Sequence, residues 1–348
     1  MVVLMLTLNI SLQRTFLATL QVTVHVMQRF TATSLQSMSD SKTREWPHSK
    51  SLFLMSLAVL IQKRNTTSPF RMKSLLNLKP SLSQRKSKMT STPFQLAACA
   101  EMLWPEQSID WRASRLKEMG FGVGLWNWPD HDLDKLEATG AHFTIMNGYL
   151  EGRLADDEGA DMLLKSARET AQIGKRLGVD RLNLHGTGLG DGGIPIWKHD
   201  VVDGPMWLKA QDTLNRICDM AEEEEVTFTL ENLNLLDHPG CPFGSTEDVI
   251  TLVSSINRPQ LKINLDLYHT QIGEGDLVRW CEKALPWVGE IQVADNPGRC
   301  EPGTGEINYA NVAKALNAMG YNGPVGMEAF AESDSDLALE RFKAAFTL

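Results

Sequence analysis

The chain has 348 residues, 34 Lys and Arg against 43 Asp and Glu, and an ordinary 43% hydrophobic content, the composition of a soluble globular protein with a sizeable core. The average hides a break: residues 1–88 hold thirteen basic residues and only two acids, Asp40 and Glu45, leaving 21 bases and 41 acids beyond, so the net charges are +11 and −20. A surface that acidic argues against a nucleic-acid-binding barrel, and a small-molecule substrate is expected instead.

All 26 glycines lie after residue 88, and residues 1–88 show no sustained helical or alternating periodicity. They read as a non-globular extension. Three readings stand: an Arg- and Ser-rich targeting peptide, a disordered basic tail, or upstream sequence translated from a misassigned start with the natural start at Met89. The apolar run Leu52–Ile61 falls far short of the ~20 residues a membrane span needs, so no membrane partner is expected. Five cysteines without a C-x-x-C pair argue against a zinc ribbon or disulfide framework and suit a cytoplasmic, reducing location.

From Phe94 onward, β-rich runs alternate with amphipathic stretches. Strands are expected at Phe94–Cys99, Gly122–Trp126, His142–Met146 and Arg181–His185, then at Thr227–Glu231, Lys262–Asp266, Glu290–Val293 and Val325–Glu328. Helices are expected after Ser108, ending at Gly120, after Asp132, and at Asp161–Leu177 with Gly178 as its stop. Further helices are expected at Met206–Glu224, Thr246–Ile256 with Ser245 as cap, Asp276–Leu285, Asn311–Met319 and Asp334–Phe346. Eight strand–helix units in 260 residues, 89–348, match the size of a (β/α)8 TIM barrel. The rival is a doubly wound open sheet, but no G-x-G-x-x-G follows the first strand.

Active sites of such barrels lie at the carboxyl ends of the strands. Four consecutive strand ends there are polar: Glu231 in Thr-Leu-Glu-Asn, Asp266 in Asn-Leu-Asp-Leu, Gln292 in Glu-Ile-Gln-Val and Glu328 in Gly-Met-Glu-Ala. One such residue could merely face solvent. Three carboxylates in register would repel unless a cation sat among them, and all-oxygen ligands suit Mg²⁺ or Mn²⁺ better than zinc. His269 lies three residues past Asp266, within reach of a substrate oxygen, and His185 precedes the glycine-rich run Gly186–Gly193. That run lacks the Lys-Ser/Thr of a P-loop and reads as a lid or a close-approach segment.

The stretch Gly289-Glu290-Ile291-Gln292-Val293-Ala294-Asp295-Asn296-Pro297-Gly298-Arg299, continuing through Glu301-Pro302-Gly303-Thr304-Gly305-Glu306-Ile307-Asn308-Tyr309, resembles the hydroxypyruvate isomerase family of the xylose-isomerase-like TIM-barrel superfamily. Asp266-Leu267-Tyr268-His269-Thr270-Gln271 and Gly326-Met327-Glu328 continue the pattern, and the likeness covers about residues 94–346. The resemblance implies a divalent metal held by Glu231, Asp266, Gln292 and Glu328, with the two glutamates as proton donor and acceptor. It implies substrate contacts at His269 and Arg299, with Asn147 and His185 as further candidates. Trp104, Trp126 and Trp128 depart from the pattern at the early strand ends and read as rim packing.

The expected reaction is isomerisation of a small hydroxy-carbonyl acid through an enediolate, hydroxypyruvate to tartronate semialdehyde or a similar 2-oxo acid. Alternatives are a ketose 3-epimerase, a polyol-ketone dehydratase, an endonuclease IV-type phosphodiesterase and a non-catalytic sugar-acid-binding barrel. The protein is also compatible with a homo-oligomer.

Overall fold

A computed structural model describes residues 91–348; the expectations for residues 1–88 lie outside the described residues. Eight parallel strands close a barrel in sequence order: β1 (Gln95–Cys99), β2 (Gly122–Leu125), β3 (Phe143–Asn147), β4 (Arg181–Leu184), β5 (Phe228–Glu231), β6 (Leu261–Asp266), β7 (Val288–Val293) and β8 (Pro324–Met327). Closure is made by β1 against β8, with Gln95 opposite Pro324 and Ala98 opposite Met327. The open-sheet alternative is thereby excluded.

Nine α-helices are present among the described residues: α1 (Ile109–Glu118), α2 (Leu133–Thr139), α3 (Asp157–Leu177), α4 (Gly204–Glu224), α5 (Thr246–Ile256), α6 (Leu267–Gly273), α7 (Leu277–Ala284), α8 (Tyr309–Ala318) and α9 (Ser335–Ala345). Local chemistry sets their ends. The Asp156 side chain accepts from Gly159 N at the start of α3, and Gly178 ends it in the left-handed conformation. Ser245 and Asp248 form a reciprocal capping box on α5. α3 buries Leu163, Ala167, Ala171 and Gly174, and a Cβ on Gly174 would lie 3.0 Å from Leu182 of β4, so helix and strand are in close contact there.

The apolar core lies between the strands and the helical ring. It includes Phe121, Phe143, Phe228, Leu316 and Phe342. Near the barrel seam Phe94 meets Phe346 edge-on at 5.6 Å, which seats the end of the chain against the start of β1.

Inside the barrel the composition is polar, unlike the Val, Ile and Leu layers usual there. Asn264 Nδ2 donates to Gln292 Oε1 (2.7 Å), and Thr229 Oγ1 to Asn183 Oδ1 (2.9 Å). Deeper still, Arg181 of β4 pairs with the fully buried Glu290 of β7 at 3.0 Å. Gly326 makes room for that pair, since a Cβ on it would come within 2.6 Å of Glu290 Oε1.

Candidate active site

A cavity of about 840 Å³ opens at the carboxyl ends of the strands, and Glu231, Gln292, Glu328, His269, Arg299, His185 and Asn147 all line it. Asp266 lies beside it, 3.7 Å from His269 Nε2. The barrel thus brings all the singled-out side chains to one mouth.

Glu231 ends β5 and is buried. Its Oε2 accepts from Asn183 Nδ2 and from Asn264 Nδ2 (3.1 Å), and His185 Nε2 lies 3.2 Å away. Burial alone would raise this carboxyl's pKa, but the bond and charge of His185, the Asn183 amide and the Arg299 charge together hold it below the usual range. Glu231 is therefore held in its ionised form.

Glu328 stands just past β8. Trp126 Nε1 donates to its Oε1, and the Arg299 guanidinium to its Oε2 at 2.8 Å. Burial dominates here and pushes its pKa up, with the Glu231 charge adding to the rise, while Arg299 and Trp126 only partly oppose it. Two glutamates of the same intrinsic acidity are thus driven in opposite directions, the pattern of an acid–base pair.

Asp266 ends β6 and at once caps α6: its Oδ1 accepts from Tyr268 N (2.7 Å) and His269 N (3.2 Å). Capping fixes the carboxylate and leaves Oδ2 on the side of His269, 3.7 Å from its Nε2. Burial and the neighbouring Glu328 charge raise its pKa well above the ordinary value. A cation among these groups would relieve both effects.

Ligand-capable atoms of Glu231, Asp266 and His269 lie within 4.8 Å of one another. The tautomer of His269 separates it from the other two. Asn234 Oδ1 already accepts from Leu236 N and Asp237 N, so its Nδ2 donates to His269 Nδ1 (2.7 Å) and the ring proton belongs on Nε2. Burial depresses the pKa of this histidine, so it is neutral and presents an N–H rather than a lone pair to the site. Carboxylate and amide oxygens remain as the donor set, which fits a hard divalent cation.

His185 follows β4. The Tyr149 hydroxyl donates to Thr187 O (2.7 Å) and so accepts from His185 Nδ1 at 3.2 Å. Arg299 takes a positive φ of 51° and lies 5.1 Å over the Tyr268 ring. Asn147 donates to Tyr149 O (2.8 Å), and its Oδ1 is buried without a partner. Gly186 is a close-approach residue, because a Cβ there would overlap Pro242 O.

Sequence reasoning missed several functional side chains. Asn183 and Asn264 lie two residues before His185 and Asp266, so strand alternation already aims them inward. Trp126, read as packing, is instead a donor to Glu328, whereas Trp104 is buried and bonded to Asp336 (3.1 Å) as rim packing should be. All five cysteines are free, and no helix among the described residues is long and apolar enough to cross a membrane.

Residues 114–345 match the family model described as a xylose isomerase-like TIM barrel. Hydroxypyruvate isomerase of Escherichia coli is 35% identical over 128 residues, 37% of this chain and half of that enzyme's length. A longer match, 27% over 251 residues, joins 70% of this chain to 86% of the 2-oxo-tetronate isomerase of Haemophilus influenzae. Among solved structures, a family 2 AP endonuclease from Brucella melitensis has a TM-score of 0.62 at 25% identity, covering 75% of this chain and all of that one.

Proposed function

The chain belongs to the xylose isomerase-like TIM barrel family, and from the site it carries we propose that it isomerises a small 2-oxo hydroxy acid by proton transfer between adjacent carbons. One observation carries the reading: Glu231 and Glu328, at the ends of β5 and β8, line one cavity together with Gln292, His269 and Arg299. The hydroxypyruvate and 2-oxo-tetronate isomerases among its relatives supply the substrate class.

Glu231, Asp266, Gln292 and Glu328 would hold a divalent cation, Mg²⁺ or Mn²⁺, which would supply Lewis-acid polarisation of the substrate oxygens. The chain's own groups do the rest. Glu231, kept ionised by His185 and Asn183, removes the proton from the carbon that bears the hydroxyl. The neutral His269 donates its Nε2 proton as a hydrogen bond to the oxygen where enediolate charge develops. Glu328 returns a proton to the neighbouring carbon while the hydroxyl proton passes from one substrate oxygen to the other, and exchange with solvent then resets both carboxyls. Arg299 sits beside Glu328 and offers its guanidinium to the substrate carboxylate.

Proton return to the other face of the same carbon would give an epimerase. Turnover in deuterium oxide separates the two: label on the neighbouring carbon with a changed carbonyl position supports isomerisation, and label only at the original carbon of a recovered epimer overturns it. A phosphodiesterase reading finds little support, because the one cluster of three metal-capable side chains among the described residues is mainly carboxylate.

A further inference from the structure

Residues 187–196 form a small hairpin beside the cavity. Leu189 pairs antiparallel with Pro195, Gly190 N donates to Ile194 O (2.8 Å), and Ile196 N donates to Gly188 O (2.9 Å). At its tip Gly192 and Gly193 take φ of 67° and 76°. The tip is tied down from the β5–α5 loop, where His238 Nδ1 donates to Gly193 O at 2.6 Å. A Cβ on Gly193 would stand 2.7 Å from His238 Cε1, so only glycine lets the ring come this close.

A carbonyl can only accept, so the bond to Gly193 fixes the proton of His238 on Nδ1. Burial keeps this ring neutral, which leaves Nε2 as a bare acceptor. His238 is only 5% exposed, lines the cavity, and lies edge-on to His269 with ring centres 5.0 Å apart, yet its Nε2 has no partner. A buried acceptor left unmet is costly and calls for a donor. A substrate carboxylate would repel the lone pair, whereas a substrate hydroxyl would supply the missing donor. A cavity of about 840 Å³ also leaves room beyond a three-carbon acid.

We propose that His238 is a specificity residue whose Nε2 accepts a hydrogen bond from a substrate hydroxyl one carbon beyond the reacting pair. The preferred substrate class is then a 2-oxo acid of four or more carbons with a free hydroxyl on the fourth, and the Gly193–His238–hydroxyl chain of bonds links the hairpin to it. This rests on the isomerase reading above.

The test compares 2-oxo-3,4-dihydroxybutanoate with its 4-deoxy analogue, which differ in that hydroxyl alone. The wild type should favour the hydroxylated acid by roughly 30-fold in kcat/KM. His238→Phe should bring the ratio close to one, with the loss carried by KM rather than kcat. A ratio that survives in the variant, or is near one in the wild type, overturns the proposal. Ring-¹⁵N spectra of the wild type need no variant to fold. They should show the Nδ1–H form of His238 in the free protein, with the Nε2 signal moving on addition of the hydroxylated acid and not of its deoxy analogue. An Nε2–H form, or equal shifts with both acids, overturns it. Inactivity of the wild type on both acids overturns the isomerase reading instead, and the spectra then decide His238 by themselves.

Discussion

Glu231 gathers donors from Asn183, His185 and Asn264 on one oxygen, while Glu328 meets Trp126 on one oxygen and Arg299 on the other. If Glu231 is the base, Glu231→Gln abolishes both product formation and exchange of the substrate C–H with solvent. Glu328→Gln should retain that exchange while product formation falls about a thousandfold. Retained turnover in Glu231→Gln would sink the assignment. Trp126 is testable by pH. Its N–H favours the charged form of Glu328, so Trp126→Phe removes a lowering influence and raises the carboxyl's pKa further. The alkaline limb of kcat/KM should then move up by roughly one pH unit; a downward shift contradicts the role of Glu328 as acid.

At the scale of elements, strand ends found from alternation and turn residues lie within one or two residues of those in the barrel, because eight β-rich runs are separated by strong punctuation such as Gly120 and Gly178. The helix α6 was not legible. It starts at Leu267, directly after β6, with no loop between, and its cap is the same Asp266 that the strand aims at the site. A residue serving two elements leaves no boundary in the sequence. The site was half legible for a related reason. Spacing by one βα repeat exposes Glu231, Asp266, Gln292 and Glu328. His238 contributes through a loop whose course no periodicity predicts, and Trp126, although at a strand end, is an aromatic residue that reads as packing. The capping box on α5 offers a check on local control: Ser245→Ala should cost about 1 kcal/mol in denaturant unfolding, without change in the site. A loss of several kcal/mol would mean that the loop before α5 depends on Ser245 for more than the cap.

For the whole molecule, the buried polar lumen sets a pH dependence. Burial carries the Glu290 carboxyl from its ordinary 4.5 to about 7 despite Arg181. The folded state therefore binds the proton more tightly than the unfolded chain, and this group's contribution to stability is present at low pH and lost as pH rises through about 7. Stability measured from pH 5 to 8 should fall more steeply in the wild type than in Glu290→Gln, by up to about 3 kcal/mol over the range. Parallel slopes would place the titration elsewhere. Divalent cation should act in the other direction. Bound by Asp266 and its neighbours, it raises the melting temperature, and more so as pH rises, since the elevated pKa of Asp266 makes protons compete for the same oxygens. No shift with Mg²⁺ or Mn²⁺ at any pH would count against the proposed ligand set.

The seam between β1 and β8 carries one more consequence. Trp126 is delivered by the second strand and its partner Glu328 by the eighth, 202 residues later in synthesis. On the proposed mechanism, a chain that already carries Glu231 but not yet Glu328 has a base with no acid to complement it, and an open edge where β8 will dock. Activity therefore cannot appear gradually as the chain emerges. It should begin only when the final strand is inserted, so the turnover of a newly made sample should track how many barrels have closed.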